Sequence, residues 1–126
     1  MHFKKFYILS VICLVLTSCF EDISGVESVS AKELKEIILR DSTVQLLDVR
    51  LPKEQAQGVI LDAKRVNLLS ESFVEESVDV LNKEQPVYVY CGSGVRSKVA
   101  SKLLMDEGYE VYNVKGGYRA WEKVKE

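Results

Sequence analysis

The chain of 126 residues has one histidine (His2), two prolines, one tryptophan and three cysteines. Cys13, Cys19 and Cys91 are too few and too scattered for a disulfide scaffold or a four-ligand zinc site. Seventeen Lys and Arg against nineteen Asp and Glu leave a formal net charge of −2. That balance provides no basic footprint for nucleic acid, and no nucleic-acid partner is expected. The apolar stretch Phe6 to Leu16, broken only by Ser10, is about 11 residues long, short of the roughly 20 a membrane-spanning helix needs. What remains is ordinary for a globular fold: 47% hydrophobic and 29% charged residues, in a chain long enough for one domain.

Lys4 and Lys5 in front of that apolar stretch give it the form of a secretory signal. Leu16-Thr17-Ser18-Cys19 resembles the lipobox of bacterial lipoproteins. The resemblance implies cleavage before Cys19 and a diacylglycerol on its sulfur, enough acyl chain for stable anchoring. A retained short anchor and an ordinary signal peptide are the alternatives. The expected organisation is a signal over 1–18, a lipidated tether over 19–28 and a folded domain over 29–126. The domain is expected at the cell envelope, facing the periplasm or extracytoplasmic space and held to a membrane by the lipid. Such a mature chain keeps Cys91 as its one free thiol and has no histidine. Cys-His and Ser-His pairs, His-ligated metals and a histidine base are thereby excluded.

Past the tether the pattern alternates. Ser30-Ala-Lys-Glu33 has the spacing of a capping box, and Leu34, Ile37 and Ile38 mark one helix face running to about Leu39. Val44–Val49 reads as a buried strand, and Pro52 opens a short helix through about Gln57. A weaker strand near Arg65–Leu68 and a helix around Phe73–Leu81 follow. Val87–Tyr90 is the strongest strand, Ser97–Glu107 a helix stopped by Gly108, Glu110–Val114 a strand and Tyr118–Lys125 a helix. Strands alternating with helices predict an α/β fold, an open parallel sheet covered on both faces.

In such sheets ligands bind beyond the carboxyl ends of strands, and Cys91 follows the strongest one. The segment Cys91-Gly92-Ser93-Gly94-Val95-Arg96-Ser97 lies between that strand and a helix. Its glycines let the backbone curl until the amides converge on one point above a helix N-terminus, forming an anion-binding nest. An ordinary thiol with pKa near 8.5 is only about 3% ionised at neutral pH. Helix dipoles and nearby cations lower cysteine pKa to roughly 3.5–7.5, so a nucleophilic Cys91 needs no histidine. Arg96 is a candidate to close the loop or to fork onto an anionic substrate, and Ser97 to cap the helix. The alternative is a buried structural cysteine followed by a glycine turn.

These residues resemble the rhodanese-like domains, single-domain sulfurtransferases that carry sulfur as a cysteine persulfide. Leu46-Leu47-Asp48-Val49-Arg50, with Glu54 and Gly58-Val59-Ile60, is similar to the family's Asp-x-Arg segment and its following Gly-His-Ile. Cys91 to Ser97 is similar to its Cys-x-Ser-Gly-x-Arg-Ser loop, and Gly116-Gly117-Tyr118-Arg119-Ala120-Trp121 to its closing Gly-Gly-x-x-x-Trp. The resemblance implies a three-layer rhodanese-like fold with about five parallel strands. It implies Cys91 as catalytic residue, with Gly92, Ser93, Gly94, Val95, Arg96 and Ser97 around the transferred sulfur. No cofactor or metal is implied. The partners implied are a sulfur donor such as thiosulfate and a thiol acceptor, and the protein is expected to be monomeric.

Two positions depart from the family pattern. Val59 stands in place of a structural histidine, and Gly92 where many active members carry Arg or Lys, which weakens the attraction for dianionic thiosulfate. Asp48 and Arg50 read as a structural ion pair, and Tyr118 and Trp121 as packing residues. A cysteine phosphatase would place five residues between Cys and Arg; Gly92, Ser93, Gly94 and Val95 make four. A catalytically weak binding or sensing module tethered at the envelope is the other reading.

Overall fold

The computed structural model describes residues 25–126. Five strands form one parallel sheet: β1 (Glu27–Ser30), β2 (Gln45–Asp48), β3 (Lys64–Arg65), β4 (Val87–Tyr90) and β5 (Val111–Lys115), in the order β1-β5-β4-β2-β3. Five helices connect and follow them: α1 (Ala31–Arg40), α2 (Pro52–Gln55), α3 (Phe73–Val80), α4 (Arg96–Asp106) and α5 (Gly117–Val124). The expected α/β sheet and helices are therefore present. The sheet also takes in Glu27 and Ser28, two residues assigned above to the tether, paired with Tyr112 and Asn113 of β5.

The strand pleat sorts the core into two layers. Along β4, Val87 and Val89, with Cys91 next in line, face a cluster with Leu47, Phe73, Ala100 and Leu104 beneath α3 and α4. Tyr88 and Tyr90 turn to the opposite layer, which holds Leu34, Leu46, Ile60 and Val114 and against which Tyr118 and Trp121 of α5 pack. A strand buried on both faces must be apolar along its whole length, so Val-Tyr-Val-Tyr was easily recognised. The capping box forms as the spacing requires: Glu33 N donates to Ser30 Oγ at 3.0 Å and Ser30 N to Glu33 Oε1 at 3.4 Å.

From β2 the chain passes through α2 to β3 at one edge, while from β4 it passes through α4 to β5 in the other direction. This divergence opens the crevice at which open parallel sheets bind ligands. Asp48 and Arg50 fix its floor. The Arg50 guanidinium lies 2.8 Å from Asp48 Oδ2, donates to the Gly58 carbonyl at 2.6 Å, and sits 4.2 Å from the centre of the Tyr118 ring. Gln55, buried, donates from Nε2 to the carbonyls of Asp48 and Arg50, both at 3.1 Å. Burial alone disfavours the charged guanidinium, but Asp48 outweighs it and holds Arg50 above the ordinary range.

A paired charge in the interior is tolerable, whereas its orphaned partner is not. Asp48→Asn should lower unfolding stability by about 3 kcal/mol in urea denaturation, with an unchanged denaturant slope. A loss under about 1 kcal/mol would place the pair in the class of solvent-screened surface bridges.

Candidate active site

Cys91 follows directly on β4 and is fully buried, its side chain in the apolar layer under α3 and α4. The structure places the thiol at the base of the loop rather than on its solvent side. The backbone nevertheless closes around the sulfur as expected. Gly94 N–H donates to Cys91 Sγ at 3.1 Å, and the backbone amides of Ser93 and Ser97 lie near enough to favour negative charge on it. Burial pushes the thiol up, but these donors, together with the Ser97 hydroxyl, outweigh it and bring Cys91 below the ordinary thiol value.

Glycine is required at two places by close approach. Gly94 has φ +93°, and a Cβ there would lie 3.0 Å from Gly116 N and 3.2 Å from the Val114 carbonyl oxygen. Gly117, at φ +54°, abuts the loop so closely that a Cβ would run into the Cys91 carbonyl oxygen. The closeness serves hydrogen bonding: Tyr118 N donates to the Cys91 carbonyl at 2.8 Å and Arg119 N to the Gly92 carbonyl at 3.1 Å. Two first-turn amides of α5, left over by its own ladder, thus hold the cysteine loop.

Ser97 is not the cap of α4. The cap position is Val95, without a side-chain bond, and Ser97 lies one residue inside the helix. Its buried hydroxyl donates to Asn113 Oδ1, and Asn113 Nδ2 donates back to the Gly94 carbonyl at 3.3 Å. A single hydroxyl proton cannot serve Asn113 and the sulfur together, so the constant support of the sulfur is backbone, with the Gly94 amide bonded to it. Asn113 was missed by the sequence reading. Its signal was an amide inside the otherwise apolar strand Val-Tyr-Asn-Val, where a buried polar group must be satisfied.

Arg96 does close the loop, but onto a carboxylate. Its Nη1 and Nη2 reach Glu54 Oε1 and Oε2 at 3.0 and 3.2 Å. The fork is occupied, and Arg96 holds the Glu54 carboxyl below its usual range. Glu54 was quoted above only as part of a motif; the structure gives it this specific role. Gly92 leaves room beside the pair, since a Cβ there would stand 3.1 Å from Arg96 Nη2. Val95 is exposed at the outer end of the loop. A cleft of about 520 Å³ opens over these residues, lined by Gly92, Ser93, Arg96 and Tyr118.

Because the amides favour the thiolate, iodoacetamide alkylation of Cys91 should show a pH midpoint below the ordinary 8.5. Asn113→Ala, which frees the Gly94 carbonyl and loosens the loop, should move that midpoint upward. Alkylation with a midpoint at or above 8.5 in the unaltered protein would refute the amide-stabilised thiolate.

The comparisons agree with this geometry. The family model of the rhodanese-like domain matches residues 30–124. A sulfurtransferase of Allochromatium vinosum is 33% identical over 99 residues, covering 78% of this chain and 90% of that protein. The thiosulfate sulfurtransferase GlpE of Actinobacillus pleuropneumoniae is 32% identical over 87 residues, covering 68% of this chain and 78% of that one. Among solved structures, a rhodanese-like domain protein from Staphylococcus aureus superposes with a TM-score of 0.69 at 33% identity, covering 76% of this chain and 91% of that chain. With three motifs in register, one parallel sheet and a cysteine loop beyond its central strand, the chain belongs to the rhodanese-like domain family.

Proposed function

We propose that the protein is a sulfurtransferase that carries sulfane sulfur on Cys91. The observation that supports it most directly is the convergence of the Ser93, Gly94 and Ser97 amides on one sulfur atom. The Cys91 thiolate attacks the outer sulfur of a donor R–S–S⁻; the donor's S–S bond breaks and its electron pair leaves on R–S⁻, sulfite when the donor is thiosulfate. Cys91 is left as the persulfide, Cys–S–S⁻, and no electrons are gained or lost overall. An acceptor thiolate then attacks the outer sulfur, and the pair from the broken bond returns to Cys91. The fixed amides stabilise charge on sulfur in each step without reorganising. Four residues between Cys91 and Arg96 suit a single sulfur better than a phosphoryl group.

The occupied Arg96 fork argues against thiosulfate as the preferred donor. With Gly92 supplying no charge and Glu54 pairing Arg96, the guanidinium of the cysteine loop itself is already matched. The cations of the cleft that are unpaired among the described residues, Arg119 and Lys125, come from the far end of the chain rather than from the loop. Donors with less charge, or protein persulfides, fit this balance better. Lipid attachment at Cys19 and residence at the cell envelope remain part of the proposal; residues 1–24, including Cys13 and Cys19, lie outside the described residues.

Cyanolysis tests the central step. Sulfur-loaded protein should release thiocyanate, and Cys91→Ala should abolish the release. An intact chain that releases none would favour a catalytically weak binding module, a reading consistent with the complete burial of the sulfur. Glu54→Gln keeps an acceptor for the Leu51 amide but unmasks Arg96. It should lower KM for thiosulfate about fivefold, the equivalent of about 1 kcal/mol from one partly exposed charge. An unchanged KM would remove the Arg96–Glu54 pair from donor selection. Mass spectrometry of membrane-extracted protein should find diacylglycerol on Cys19, and an unmodified Cys19 would overturn the anchoring.

A further inference from the structure

Against an overall negative balance, one face beside the cysteine loop is strongly positive. A second groove of about 510 Å³ adjoins the first, sharing Ser93 and Arg119 with it. Its rim carries Lys32 from α1, Lys115 from the end of β5, and Arg119 and Lys123 from successive turns of α5. No acidic side chain lines it, and its floor is Ala31, Ala120 and Val124. All four cations are exposed, and none forms an ion pair among the described residues. Glu122 faces the first cleft instead. The chain as a whole has more acids than bases, so four cations without one carboxylate are not its average surface.

We infer that this groove docks an acidic segment of a protein that exchanges sulfur with Cys91. The inference rests on the sulfurtransferase reading and names the partner class for the same site. Charge complementarity selects the occupant: four separate cations match several carboxylates on one chain, more than a small thiol with one or two supplies. A second feature favours a protein over a small molecule. From the outer end of the loop, Val95, Val99 and Leu103 stand at successive helical turns and are 70%, 56% and 38% exposed. This apolar stripe, one residue wide, offers a further contact to a partner large enough to span the loop. In the exchange, the partner's cysteine thiolate attacks the outer sulfur of Cys91–S–S⁻. The Cys91 S–S bond breaks, its electron pair remains on Cys91 as thiolate, and the partner leaves as R–S–S⁻.

The test uses two synthetic acceptors, Cys-Gly followed by four Glu or by four Gln, with the full chain loaded by polysulfide. At low ionic strength discharge to the Glu peptide should be about tenfold faster than to the Gln peptide, within the range of electrostatic steering. That ratio should fall toward one in Lys32→Glu/Lys115→Glu/Lys123→Glu and when salt shortens the screening length to about 3 Å. The milder triple change to Gln should lower the ratio partway, which covers a charge-reversed protein that fails to fold. Discharge to cyanide should be the same in all variants. Equal rates for the two peptides in the unaltered protein would overturn the inference. So would an unaltered ratio in both triple variants combined with loss of sedimentation on phosphatidylglycerol vesicles, which would assign the groove to an anionic bilayer. Failure of cyanide discharge in the unaltered protein would instead remove the sulfurtransferase reading beneath it.

Discussion

Two hydrogen bonds, from the amides of Tyr118 and Arg119 to the carbonyls of Cys91 and Gly92, hold the rest of the site in place. A trans peptide is planar, so its carbonyl and its N–H point in opposite directions. Fixing the Gly92 carbonyl toward α5 therefore turns the Ser93 amide the other way, and the Ser93 amide is one of the groups that favour charge on the sulfur. The helix that closes the fold thus orients a peptide in the loop without touching the reacting atom. The arrangement works only if two backbones nearly meet. Gly117 allows this, because any Cβ there would collide with the Cys91 carbonyl oxygen. The Gly-Gly pair is better understood as a contact requirement than as a turn.

The second constraint is the opposition between burial and charge at Cys91. The sulfur belongs to the apolar layer beneath α3 and α4, where an unassisted thiolate would be disfavoured. Burial is the largest single influence on it, and it takes several donors together to reverse the sign. That accounts for the secondary network behind the loop. Asn113, itself fully buried, holds the Gly94 carbonyl and so fixes the loop one peptide beyond the amide that reaches the sulfur. On the opposite layer, the Asp48–Arg50 pair and the Tyr118 ring beside it tie β2 to α5. The helix that braces the loop is thereby fixed from its other side as well.

Elements carrying dense local patterns were legible in the sequence. Val87–Tyr90 was bounded to the residue, and α1 followed from its capping box. β1 was not legible, because Glu-Ser-Val-Ser at a sheet edge has one apolar residue and takes its strand conformation from β5. β3, expected near Arg65–Leu68, is instead the two residues Lys64–Arg65, both exposed, for the same reason. Within the site, the cysteine, its glycines and the converging amides followed from loop composition. The partners of Arg96 and Ser97 did not. Glu54 lies 42 residues from Arg96 and Asn113 lies 16 from Ser97, and local spacing carries no information about contacts that the tertiary fold creates. The depth of the sulfur was equally hidden, since strand periodicity gives the face but not what covers it.

The distribution of charge separates two tasks that a single arginine near the cysteine would combine. Inside the cleft, the Arg96 fork is taken up by Glu54 and Gly92 adds nothing, so the support that the loop gives to charge on the Cys91 sulfur comes largely from its amides. Dipoles of fixed amides act over about one residue's distance and favour whichever sulfur carries the charge, whatever group it came from. Unpaired positive charge gathers at the rim, on Lys32, Lys115, Arg119 and Lys123. There it acts over about 8 Å at physiological ionic strength, and it discriminates by the partner's charge. Under the proposed sulfur transfer, a cleft built this way would accept sulfur from any leaving group small enough to enter, while selection among partners would fall to the rim. Changes at the rim are then free to alter which molecule is served without disturbing the thiolate. The chemistry and the choice of partner thus rest on different residues of one short surface.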